Sequence, residues 1–155
     1  MLRMSKLADY GTVLMTYLAR NPNGIHAANE IADEVSVALP TTSKLLKMLA
    51  RAGLVTSTRG THGGYFLARP ASEISIADVI AALEGPIGLT ECASLPGVCE
   101  QESGCTVRGN WQRINRVVVG ALQHVSLAEM VAPIFPVDTS RLKNSSTRRA
   151  AALTE

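Results

Sequence analysis

The tightest constraint on this chain is a change of hydrophobic period between residues 27 and 68, from helical to alternating, punctuated by Pro40 and Gly53. Ala28, Ile31, Ala32 and Val35 fall on one side of a short helix over about Ala27–Val35. Ser36-Val37-Ala38 reads as a tight connection. Pro40 suits the first turn of the next helix, where its missing N–H leaves no bond unmade. That helix runs to about Ala52, takes Gly53 as its C-terminal cap, and packs through Leu45, Leu46, Met48 and Leu49, with Thr42 at the edge. Two half-buried strands follow, Leu54–Thr58 and Gly64–Ala68, joined by the glycine-bearing turn Arg59-Gly60-Thr61-His62-Gly63.

Two helices in quick succession and then a hairpin is the layout of a winged helix-turn-helix. The expected fold class is therefore mainly α with a small β-hairpin wing. A first helix, Ser5–Arg20, is capped by Ser5 and stopped by Asn21-Pro22-Asn23-Gly24. A linking helix spans about Ser75–Glu84, and a loop from Ile87 to Gly104 follows. From Thr106 to about His124, residues Val107, Trp111, Ile114, Val118, Ala121 and Val125 alternate four- and three-residue steps, the seam of a C-terminal dimerisation helix. The resulting division is 1–70 for the winged domain, 71–104 for the linking helix and cysteine loop, and 105–132 for the dimerisation helix. Residues 133–155 are rich in Ser, Thr and Arg, have little to bury, and read as a disordered tail.

Net charge is only +2, so a nucleic-acid partner would have to be met by local charge. Aromatic residues make up 4 %, which excludes a stacking platform for single strands. In a helix-turn-helix the second helix enters the major groove of duplex DNA. Thr41, Ser43 and Lys44 would then face base edges, with Lys47 and Arg51 placed for phosphate. Arg59 on the wing suits phosphate or the minor groove, and His62 is a weaker candidate. The competing reading makes these cations an ordinary solvated helix face. No nucleophile elbow, phosphate loop or motif-placed carboxylate pair is present, so the chain reads as a non-enzyme with no small-molecule substrate. Arg3, Lys6, Asp9 and Arg20 interrupt any signal-peptide core, and no apolar run could cross a bilayer; a cytoplasmic location is expected.

Cys92, Cys99 and Cys105 are spaced C-x6-C-x5-C. A reducing compartment disfavours structural disulfides there. Three packed thiols fit poorly with a setting of Glu91, Pro96, Gly97, Glu100, Gln101, Glu102, Ser103 and Gly104. Three thiolates can converge on a metal, but most iron–sulfur clusters want four ligands, and zinc usually takes a shorter spacing. Spacing favours a metal without choosing it, and leaves open a metal-free redox thiol.

The N-terminal stretch, Leu45–Pro70 (LLKMLARAGLVTSTRGTHGGYFLARP), Ile74–Gly85 (ISIADVIAALEG) and the three-cysteine loop together resemble the Rrf family of bacterial regulators, over about residues 1–132. The resemblance is strongest to the regulator of the SUF iron–sulfur assembly system. It implies a homodimer on a near-palindromic operator, holding a 2Fe-2S or 4Fe-4S cluster on Cys92, Cys99 and Cys105 and controlling cluster-assembly genes, in the repressor sense. One branch of the family supplies a histidine three residues after the last cysteine; here Arg108 stands, and a guanidinium is no iron ligand. Another branch uses an aspartate of the partner's first helix, which the resemblance places at Asp9. His62, His124 and water are weaker fourth ligands, and His26 lies far from the cysteines in sequence.

Overall fold

Ser5 opens the first helix by accepting from the Leu7 and Ala8 amides with its hydroxyl (3.1 and 3.2 Å). The computed structural model describes residues 4–94, 97, 99–101 and 103–132. Helix α1 is Lys6–Arg20, α2 Ala28–Val35 and α3 Leu39–Arg51. Strands β1 (Val55–Thr58) and β2 (Gly64–Leu67) pair antiparallel, from Val55 opposite Leu67 to Thr58 opposite Gly64. A 3-10 turn at Ala71–Glu73 leads into α4 (Ile76–Glu84); then come α5 (Glu91–Ser94), α6 (Arg108–Gln123) and α7 (Leu127–Val131).

The sharp turn between α2 and α3 needs Ser36 in the left-handed region, at φ 55°. Thr42 is fully buried and donates its hydroxyl to the Val37 carbonyl (3.2 Å), which fixes the entry into α3. Leu45, Leu46 and Leu49 of α3 meet Leu14, Met15 and Leu18 of α1, with Ile31, Ile74, Val79 and Leu127 closing one core. Each such leucine contributes about 1.5–3 kcal/mol by leaving water. At Gly11 α1 lies close against α4; a β-carbon there would run into Leu83.

The wing carries an unpredicted third edge. His26 and Tyr65 exchange backbone hydrogen bonds (3.0 and 2.8 Å), tying β2 to the segment before α2. A second isolated bridge, Ser75 to Ser126, returns the chain after α6 to the start of α4. The helices and strands of the winged domain thus lie as the sequence predicts, within a residue or two at their ends. Two local differences appear. The expected cysteine loop contains a helical turn, α5, because residues 91–94 pack on α6, and α6 itself starts at Arg108. The tail beyond residue 132 lies outside the described residues. No described helix is long and apolar enough to cross a membrane.

Candidate nucleic-acid interface and cysteine segment

Burying Thr42, Leu45, Leu46 and Leu49 on one side of α3 turns Lys44, Lys47 and Arg51 outward, and all three are exposed. Thr41 and Ser43 are half-buried at the rim of the same helix. Arg59 and His62 are exposed on the wing turn, which Gly60 makes at φ +112° and Gly63 closes by donating its amide N–H to the Gly60 carbonyl (2.9 Å). Between Glu34 and Glu73 the sequence has no acidic residue, yet it carries Lys44, Lys47, Arg51, Arg59 and Arg69. This local excess of positive charge is what a net charge of +2 conceals. Arg69 is already engaged, with Asp78 of α4 at 3.2 Å.

His26 has a structural role. Its Nδ1 faces Glu30 Oε1 at 2.9 Å and its Nε2 faces the Asn21 carbonyl at 3.0 Å, while the Tyr17 hydroxyl donates to the same Glu30 oxygen at 3.0 Å. Burial opposes protonation of His26, but the Glu30 hydrogen bond, the Asn21 carbonyl and the Glu30 charge outweigh it and raise its pKa. Hydrogen bonding from His26 lowers the Glu30 carboxyl against a smaller opposing effect of burial. Burial, then Glu30 and Glu34, push Tyr17 up to about 12.

All three cysteines are free. Cys92 differs from expectation: it lies in α5 and is only 8 % exposed, because α5 packs against α6. Its sulfur lies 3.3 Å from the Thr90 hydroxyl. Cys99 and Cys105 are half-buried. Cys99 borders a shallow depression with Glu91 and Glu100, and Cys105 another with Ser103 and Gly104. As a donor set, three uncommitted thiols suit an iron–sulfur centre in kind. Among the described residues, however, no three His, Cys, Asp or Glu side chains gather into a metal-holding group. Asp9 is exposed in the first turns of α1, and Arg108 is half-buried at the start of α6.

Sequence reasoning missed Asn115, the only buried residue of α6. Its Oδ1 accepts the Leu89 amide (3.0 Å), and its Nδ2 donates to the Ile87 (3.0 Å) and Ala93 (3.4 Å) carbonyls. Away from that contact α6 shows an open apolar face: Val107, Trp111, Ile114 and Val117 are all exposed, Val117 at 64 %.

A helix that buries one side in the core and turns Lys44, Lys47 and Arg51 to solvent, beside a hairpin turn carrying Arg59, has the layout of a winged helix-turn-helix DNA-binding protein. The chain belongs to the Rrf2 family, described as iron-dependent transcriptional regulators, whose pattern it matches over residues 4–133. It is similar to the HTH-type transcriptional regulator IscR of Serratia proteamaculans, at 28 % identity over 97 % of this chain and 92 % of that one. Among solved structures it resembles CymR, the global cysteine regulator of B. subtilis (TM-score 0.67, 31 % identity, 84 % of this chain and 97 % of that one). It also resembles IscR of T. potens (TM-score 0.65, 28 % identity, 84 % and 86 %). The protein is thus a DNA-binding transcriptional regulator. These relatives establish the family, and not its SUF branch.

Proposed function

We propose that this regulator is a cytoplasmic homodimer that binds a near-palindromic operator through Thr41, Ser43, Lys44, Lys47, Arg51 and Arg59. In this reading it senses iron–sulfur cluster status and represses cluster-assembly genes, including those of the SUF type. The observation that carries the sensing role is a set of three free thiols, Cys92, Cys99 and Cys105, the first of them in α5, which packs against α6. Cys92, Cys99 and Cys105 would hold the cluster, with Asp9 of the partner subunit as fourth ligand. When bound, a cluster would tie three thiolates to one centre sensitive to oxidants and iron supply. The chain supplies the rest. Residues 87–94 rest on α6, α6 on α4, and α4 on α1 and α3, so a shift in the cysteine segment has a packed route to the DNA-reading helix.

A metal-free thiol sensor is the second reading. It is favoured by the three free cysteines, two of them half-buried rather than buried, and by the likeness to a cysteine regulator. One experiment separates the readings: anaerobic purification with visible absorption and iron, sulfide and zinc analysis, paired with duplex binding. The expected result is coloured protein containing iron and sulfide. Cys92→Ala, Cys99→Ala and Cys105→Ala should each lose the colour and change DNA affinity by about 5- to 150-fold. Colourless protein with zinc would point to a structural zinc domain. A full oxidant response after chelation would establish the thiol reading. An unchanged cluster in Asp9→Ala would remove Asp9 from the ligand set.

A further inference from the structure

The inward side of α6 is unusual in what it buries. Leu122 packs against Ile76 and Ile80 of α4, but the only buried residue of the helix is the polar Asn115, 7 % exposed. A carboxamide offers two N–H donors and one acceptor oxygen, and here all three functions point at one backbone segment. The oxygen takes the Leu89 amide; the two N–H groups go to the Ile87 and Ala93 carbonyls. Ile87 and Leu89 lie before Cys92 and Ala93 directly follows it, so one side chain clamps the backbone on both sides of that cysteine.

An apolar side chain would hold α6 against this segment just as well by area, and would tolerate sliding. A buried carboxamide does not, since any displacement of residues 87–93 relative to α6 strands a polar group away from water. Its neighbours in the same turns, Trp111 and Ile114, belong to the exposed apolar seam. The segment and the seam are therefore mechanically one unit around this residue. We propose that Asn115 is a positioning residue: its buried carboxamide transmits a change of state in the Cys92 segment to α6, and through α6 to the spacing of the DNA-reading helices. This rests on the cysteines being the sensor, as proposed above.

The test uses the full-length protein with Asn115→Ala and Asn115→Asp. The aspartate keeps the shape and the acceptor for Leu89 but loses both donors. The first readout is the rate at which N-ethylmaleimide labels Cys92 in reduced apo-protein, followed by peptide mass spectrometry; it should rise about tenfold in both variants. The second is the ratio of affinities for a duplex selected from a random pool by the wild type. That ratio compares reduced apo-protein with protein reconstituted anaerobically with ferrous iron and sulfide. The wild-type ratio should lie in the range of about 5 to 150, and in the variants it should fall to within about twofold of one. Variants that keep the wild-type ratio, or the wild-type labelling rate, overturn the role of Asn115 and leave the sensor reading standing. A wild-type ratio of one overturns the sensor reading itself, and this inference with it. If one variant does not fold, the other carries both measurements.

Discussion

Lys47 faces solvent from the middle of α3, one turn beyond the helix start at which Thr41, Ser43 and Lys44 would meet base edges. Its flexible ammonium suits a phosphate, which carries no sequence information. Lys47→Ala should therefore weaken binding to selected and unselected duplexes by similar factors. The slope of log affinity against log salt should fall by about one for each lysine that contacts phosphate. Fluorescence anisotropy on two duplexes at several salt concentrations measures this. Loss confined to the selected duplex would instead make Lys47 a base reader.

At the scale of elements, the link between α1, α2 and the wing is the ion pair of His26 and Glu30. With both ring nitrogens facing acceptors, the doubly protonated imidazolium is the form this geometry holds. Its pKa is raised on folding, so its stabilisation is complete below the ordinary histidine value of about 6.5 and fades as pH rises through the raised one. Glu30, lowered on folding, contributes above its ordinary value of about 4.3 and loses that contribution as pH falls through the lowered one. The pair is thus most effective in mildly acidic solution. His26→Asn should lower the urea midpoint more at about pH 6 than at about pH 9. An equal loss at the two values would mean that only packing and neutral hydrogen bonds were removed.

The elements themselves were legible because each carries a local signal. Ser5 and Ser75 cap, Pro40 sits in a first turn, Gly53 and Gly60 take positive φ, and the period changes at Leu54. What was not legible depends on contacts distant in sequence. His26 pairs with Tyr65, thirty-nine positions on by subtraction, and nothing near either residue announces it. The His26–Glu30 spacing of four was a visible hint of the ion pair alone. Asn115 sits beside a heptad seam whose periodicity accounts only for its apolar neighbours. The helical turn at Cys92 arises from packing on α6, which composition of the loop, polar as it is, does not encode.

For the whole molecule, the decisive feature is the face that α6 leaves open. Trp111, Ile114 and Val117 are 40 %, 45 % and 64 % exposed, an apolar stripe that a monomer has no reason to present to water. In the homodimer proposed above, a second copy of the same helix would cover it, because a two-fold interface is self-complementary. Such a dimer would set two α3 helices at a fixed separation, which would have to match about 34 Å, one turn of duplex, or a multiple of it. Ile114→Glu places a carboxylate in that seam, where pairing would bring it against its own symmetry mate without a partner. The variant should sediment as a 16.4 kDa monomer, whereas the wild type should sediment at twice that mass. It should bind a palindromic duplex with about half the wild-type salt slope, since half the phosphate contacts remain. Ile25→Glu provides the control, because Ile25 is 50 % exposed but lies before α2, away from the seam. Its dimer should persist. If Ile114→Glu also stays dimeric, the two-fold contact lies elsewhere on the surface, and the route from cysteine segment to DNA would have to run within one subunit.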